Sequence, residues 1–350
     1  MKLIKVISLL LALSLLPLAL AACAEKSSPK PMSKTYYEYF DTVSTVSSYL
    51  QDSEEEFEAN AMAVEELLKK YHRLCDIYYE YSGVNNIRTV NRNAGKSPVK
   101  VDTELIEFLL YAKEICKKTE GESNIMMGSL LTLWHEFRED AEDGQSSVTP
   151  PAESELRAAA EHISLDALVI DTEASTVFIT DPDARIDVGA IAKGYATEKA
   201  AELLISRKVS SYVLNIGGNL RIVGEKPNGD GWVTGITNPD KNADGYALKL
   251  YLKDTSCVTS GNYERYVTVG DKRYHHIIDK DTLYPAEYFA SVSVITKDSA
   301  IADSLSTALF CMPYEEGLAL AKSFGDVEVI WIYKNGETVT TDGIKKLIYS

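Results

Sequence analysis

Leu168-Val169-Ile170-Asp171-Thr172-Glu173-Ala174-Ser175-Thr176-Val177-Phe178-Ile179 is where the texture of the chain changes. Two apolar runs, Leu168 to Ile170 and Thr176 to Ile179, flank a polar turn and predict a β-hairpin. A hairpin pairs neighbours antiparallel and needs no crossover helix. Upstream, apolar residues recur at helical spacing instead. Ser53-Glu54-Glu55-Glu56 is a capping box. Phe57, Ala61, Val64, Leu68, Tyr71 and Cys75 follow on one helical face. Asp102 to Thr119 reads as a second helix stopped by Gly121, Met126 to Phe137 as a third, and Ala152 to Ile163 as a fourth. Ser82 to Lys96 reads as loop or short turns, and the acidic, then Ser- and Pro-containing Glu139 to Pro150 as a mobile insertion.

Downstream the strands come in runs: Ser211 to Asn215, Trp232 to Thr237, Tyr246 to Leu252, Arg265 to Val269, Arg273 to Ile278 and Ala290 to Ile295. Helices over Ser299 to Phe310 and Tyr314 to Phe324 precede a last hairpin, Val329 to Tyr333 with Thr338 to Thr341, about Asn335-Gly336. Grouped helices and grouped strands predict an α+β fold, with mostly antiparallel sheets and packed helices in a single interlocked body. A doubly wound parallel sheet would alternate them.

Lys2 and Lys5 precede an apolar core, Val6 to Leu20, which is too short and wrongly flanked for a transmembrane helix. Leu20-Ala21-Ala22-Cys23 then reads as a lipobox. Residues 1–22 are expected to be a lipoprotein signal peptide, Cys23 the acylated residue, 23–34 a tether and 35–350 the folded domain. Acyl chains would hold the protein on the extracytoplasmic face of the cell membrane. An ordinary signal peptide with a chance cysteine is the alternative. Apolar residues make up 45% of the chain, enough for a sizeable core. A net charge of −16 argues against nucleic acid and anionic lipid as partners. Cys75, Cys116, Cys257 and Cys311 are scattered, with no metal-ligand spacing.

Five stretches carry candidate chemistry. Asp187-Val188-Gly189-Ala190-Ile191-Ala192-Lys193-Gly194-Tyr195 joins an extended segment to a helix through a glycine turn. Free N–H groups, the positive helix end and Lys193 suit a phosphate there. A plain strand-to-helix turn is the other reading. Asp303 and Thr307 lie four apart, on one face of an otherwise small and apolar helix. A carboxylate and a hydroxyl suit a hard cation, or Thr307 simply bonds back to the Asp303 carbonyl. In Tyr274-His275-His276-Ile277-Ile278-Asp279, His276 and Asp279 could orient one another near a phosphate, although a strand puts neighbours on opposite faces. Zinc is not indicated, because no second His/Cys cluster accompanies the pair. Thr259-Ser260-Gly261-Asn262-Tyr263 offers hydroxyls after a strand. Tyr78, Tyr79 and Tyr81 could form a plate for a flat ring, or serve as interfacial core.

Together these blocks, with Asn215-Ile216-Gly217-Gly218-Asn219, resemble the FAD:protein FMN transferase (ApbE) family over roughly Tyr37 to Phe324. The resemblance implies a T-fold-related architecture and a reaction in which a Thr or Ser hydroxyl of an extracytoplasmic redox partner takes FMN from FAD, releasing AMP. It implies Mg²⁺ held by Asp303, Thr307 and the Ala190 carbonyl. It places the flavin near Phe40 and Tyr78, FAD contacts at Asp187, Lys193, Ser123, Asn124, Thr259 and Ile277, and binding or proton transfer at His276. Three segments depart from the family pattern. Phe40-Asp41-Thr42 stands for Met-Gly-Thr, Gly121-Glu122-Ser123-Asn124 for Gly-Ala-Phe-Asp, and Asp279-Lys280-Asp281-Thr282-Leu283-Tyr284-Pro285 for Asp-Pro-x-Thr-Gly-x-Pro. Two other readings remain: a pyrophosphatase splitting FAD into FMN and AMP, and a non-catalytic FAD-binding lipoprotein.

Overall fold

Alternating side chains in β1 (Met32–Tyr39) and β2 (Thr42–Ser48) form an antiparallel hairpin across Phe40 and Asp41. The computed structural model describes residues 31–49, 53–143, 148–240 and 245–349, so the signal peptide and Cys23 lie outside the described residues. Met32 to Lys34, expected at the end of the tether, are strand: they pair with Ser48, Ser47 and Val46. Among the described residues no helix is long and apolar enough to cross a membrane.

The predicted capping box opens α1 (Glu54–Cys75). Its Ser53 side chain accepts from the Glu56 N–H, and Glu56 reaches back to the Ser53 N–H. The Asn-rich loop contains α2 (Ile87–Arg92), capped by Asn86, and is followed by β3 (Val99–Lys100) and α3 (Thr103–Lys118). The next helix, α4 (Gly128–Glu142), starts later and runs five residues longer than the periodicity indicates, so Glu139 to Glu142 are helix rather than insertion. After α5 (Glu153–Ala160), the hairpin that changes the texture forms as read: β4 (Leu168–Asp171) pairs antiparallel with β5 (Thr176–Ile179), and β3 completes this small sheet.

The extended stretch after β5 turns into α6 (Ala192–Ser206). The main sheet then fills in with β6 (Tyr212–Ile216) and β7 (Asn219–Val223). β8 (Trp232–Thr237) and β9 (Tyr246–Leu252) form a separate hairpin. β10 (Ser256–Gly261) encloses Thr259 and Ser260 within the strand rather than after it. β11 (Tyr266–Val269) and β12 (Lys272–His275) make a hairpin that stops at His275, so His276 to Ile278 are not strand. β13 (Ser291–Thr296), α7 (Ser299–Phe310), α8 (Tyr314–Ser323), β14 (Glu328–Ile332) and β15 (Thr338–Thr340) finish the chain.

Eight strands form one sheet in the order β1-β2-β6-β7-β10-β13-β14-β15, every pairing antiparallel. The expected α+β class with mostly antiparallel sheets is what the protein adopts. α1 and α6 pack in one apolar core with Val46, Tyr212, Leu214 and Ile216 of the sheet. α7 packs in a second core against Val292, Val294, Val329 and Trp331. Met32 to Ser350 form one compact unit.

Candidate active site

Small residues let α6 and α7 come close. A methyl group on Gly194 would lie 2.4 Å from both the Asp303 Cβ and the Ser299 carbonyl oxygen. No side chain of its own caps α6: the residue before it is Ile191. The Asp303 carboxylate does this work from α7, its Oδ2 accepting from the Gly194 N–H at 2.8 Å. A carboxylate facing the positive end of a helix is favourable. The same bond has a second effect. Gly194 would otherwise donate to Ala190, four residues back; the Val188 carbonyl accepts from the Ala192 N–H and that of Ile191 from the Tyr195 N–H, but no backbone N–H among the described residues donates to Ala190. The Ala190 carbonyl is therefore left outside the helix ladder.

Asp303 is 5% exposed, and burial raises its carboxyl above the ordinary carboxylate range while Lys193 and the Gly194 N–H pull the other way. Lys193 Nζ lies 3.6 Å from Asp303 Oδ2 and donates to the Gly189 carbonyl at 3.0 Å. Asp303 Oδ1 has no hydrogen-bond partner among the described residues. Thr307 does not bond back to Asp303. Ser306 does, at 2.9 Å, and the Thr307 hydroxyl lies 3.3 Å from Ser260 Oγ on β10. An uncommitted carboxylate oxygen, a hydroxyl off its own helix and a carbonyl outside the ladder make an all-oxygen donor set that fits Mg²⁺.

A second group of residues converges beside this one. Asp187 forms a turn, accepting from the Gly189 N–H at 2.8 Å, and burial raises its carboxyl. His276 follows β12 and its Nδ1 lies 3.3 Å from the Arg265 carbonyl. A carbonyl only accepts, so Nδ1 carries the proton and Nε2 the lone pair. Burial, then the charges of Arg138 and Arg265, pull the His276 imidazole down to about 3. Tyr78 is 44% exposed and its ring lies 5.1 Å from that of His135 on α4. Phe40 packs edge-on to His72 at 5.7 Å, and its N–H donates to His72 Nδ1 at 3.2 Å. That leaves His72 Nε2 to donate to the Tyr81 hydroxyl, which donates to Asp76 at 2.6 Å. Asp41 carries the turn at φ 50°, where the family pattern has glycine, and its carbonyl accepts from Arg265 at 3.1 Å.

Other expected site residues make bonds and packing contacts within the protein. Asn124 donates to the Ile163 carbonyl at 2.9 Å and accepts from the Met126 N–H at 2.9 Å, so its amide shapes a loop. Ser123 is buried, and its N–H donates to the Thr119 hydroxyl. The Thr259 hydroxyl pairs with Ser293 at 2.7 Å. Ile277 has its side chain in the α7 core, and its N–H and carbonyl are bonded to His275 and Ala286. Asp279 does not pair with His276 and closes its own turn, accepting from the N–H groups of Asp281 and Thr282. Two of the three departing segments meet: Lys280 Nζ pairs with Glu122 at 2.9 Å. Sequence reading missed His72, His135 and Arg138, each of which acts across a gap in the chain that periodicity does not report.

The ApbE family pattern matches residues 40–331. An FAD:protein FMN transferase of Klebsiella pneumoniae is 31% identical over 283 residues, 81% of this chain and 84% of that protein. One from Treponema pallidum is 33% identical over 270 residues, 74% of this chain and 73% of that protein. The crystal structure of an ApbE protein from Thermotoga maritima superposes with a TM-score of 0.79 at 26% identity, covering 92% of this chain and all of that one (100%). The flavin transferase ApbE of Vibrio cholerae shares the fold, with a TM-score of 0.75 at 23% identity over 91% of this chain and 99% of that one. With the matched span running from the Phe40 turn past α7 to the sheet's last long strand, the chain belongs to the ApbE family.

Proposed function

We propose that the protein transfers FMN from FAD to a Thr or Ser hydroxyl of a partner protein. The observation that carries this is the Asp303–Gly194 bond, which joins α6 to α7 and leaves the Ala190 carbonyl free beside a buried carboxylate. Asp303, Thr307 and Ala190 would hold Mg²⁺, which when bound neutralises charge on the diphosphate. Phe40 and Tyr78 flank the flavin ring. In the transfer, the acceptor oxygen bonds to the phosphorus bearing riboflavin. The P–O bond to the AMP phosphate breaks, and AMP leaves with the electron pair. The hydroxyl proton passes to the lone pair of His276 Nε2. In the free protein that imidazole is a weak base, held down by burial and by Arg138 and Arg265. The anionic diphosphate offsets those cations and restores its basicity.

We further propose that the chain is anchored through Cys23 to the extracytoplasmic face of the membrane, where a flavinylated redox protein is its acceptor.

Asp303→Asn separates chemistry from structure. The amide oxygen still accepts from Gly194, so the fold stays, but the charge for the metal is gone. Covalent flavin on an acceptor should fall by about a hundredfold or more, with the melting temperature kept within a few degrees. Undiminished labelling would overturn the metal assignment.

A further inference from the structure

Arg138 lies on α4 and makes no hydrogen bond and no ion pair among the described residues. It is not a surface arginine reaching into water. It is partly buried, and desolvation is the largest influence on its guanidinium. Guanidinium groups taken out of water are ordinarily paired, because an unpaired one loses hydration without return. The groups that act on it come from separate parts of the chain: Tyr78 after α1, Asp187 before α6, Arg265 between β10 and β11, and Glu142 one turn along its own helix. The same stretch of α4 reaches the site: the ring of His135, three residues before Arg138, lies 5.1 Å from that of Tyr78, and among nearby charges Arg138 acts first on His276, ahead of Arg265 and Lys193. Three cations thus converge on one imidazole in a chain of net charge −16.

The helix that carries Arg138 is fixed. Trp134, one turn earlier, is fully buried, and its indole N–H donates to the Leu283 carbonyl at 2.9 Å. Its ring stacks on Tyr274 at 5.9 Å and meets Tyr284 edge-on at 5.5 Å. A guanidinium held in place by such a helix, partly dehydrated and without a protein partner, is prepared for an anion that arrives from outside.

We infer that Arg138 is an anion-binding residue of the site, whose guanidinium takes a phosphate of the bound dinucleotide. The inference rests on the FAD reading above and adds a residue to it. Lys193 is tied to Asp303 and Gly189, and Arg265 to the Asp41 carbonyl. Arg138 is the cation of the three with its full hydrogen-bonding fork still to use.

The test is equilibrium binding to the purified protein and to Arg138→Met and Arg138→Lys, with FAD, AMP, adenosine and riboflavin as probes, beside a melting curve of each free protein. Arg138→Met should bind FAD and AMP about ten- to a hundredfold more weakly. It should bind riboflavin and adenosine as the unaltered protein does, and Arg138→Lys should fall between. The free Arg138→Met protein should melt no lower, because no bond is lost. Equal FAD and AMP affinity in Arg138→Met would overturn the inference. So would loss confined to riboflavin or adenosine, or a variant that fails to fold. Failure of the unaltered protein to bind FAD would instead overturn the functional reading itself.

Discussion

Gly194 stands where a methyl group does not fit, between the Asp303 side chain and the Ser299 carbonyl. Asp303 caps α6 through that glycine across 109 residues of chain. The pairing of Asp303 with Thr307 was legible because one helix turn sets it. The bond to Gly194 was not, because helix-to-helix contact leaves no periodic trace. Gly194→Ala should therefore push α6 off α7, costing about 1–3 kcal/mol in denaturant unfolding and removing transfer together with stability. A variant of unchanged midpoint would show that the helices approach less closely. His275 and His276 set a pH dependence. Burial is the main cause for both, lowering His275 to about 4 and His276 to about 3, from an ordinary value of 6.5. The unfolded chain takes up these protons first, so the stability they confer is full above about pH 6.5 and is lost as pH falls toward the folded values. Half-buried Asp187 and buried Asp303 have raised values and work with the opposite sign, so a difference measurement is needed. His276→Asn should flatten the loss of stability between pH 7 and 5 relative to the unaltered protein, by up to about 1.4 kcal/mol per pH unit. Parallel curves would contradict a depressed His276.

At the scale of elements, the β1–β2 hairpin was the least legible part. Its turn residues, Phe40 and Asp41, both sit at positive φ without a glycine or asparagine to announce it. What holds the turn is remote: His72 takes the Phe40 N–H and Arg265 the Asp41 carbonyl. Both bonds are to backbone, so they survive a change of side chain. Asp41→Gly should relieve the left-handed conformation and stabilise the protein by about 0.5–1 kcal/mol. A lower unfolding midpoint would mean the Asp41 side chain does more than tolerate the turn. α4 was read as ending at Phe137 because Glu139 and Asp140 begin an acidic run. The helix continues to Glu142, and the residue just beyond the expected end is Arg138. In contrast, the strands of the β4–β5 hairpin and α7 formed as read, since their apolar patterns are uninterrupted and their ends are marked by turn or capping residues.

For the whole molecule, the antiparallel character followed from short strands in runs, whereas the strand order did not. β2 pairs with β6, and β7 with β10, across helices and hairpins that sequence periodicity cannot order. Folding brings the turn after β1, the loop after α1, the face of α4, the start of α6 and the end of β12 toward one region. That region gathers Arg138, Arg265 and Lys193 within a chain of net charge −16. The arrangement accounts for how an acidic protein could draw in a diphosphate and place its phosphorus beside a neutral imidazole. The most direct test is one incubation with FAD, Mg²⁺ and a Thr- or Ser-bearing acceptor, in which released AMP and covalently bound flavin are measured together. Transfer predicts equal amounts of the two, both dependent on the acceptor. AMP released at the same rate without acceptor, or FAD bound with neither product formed, would contradict it.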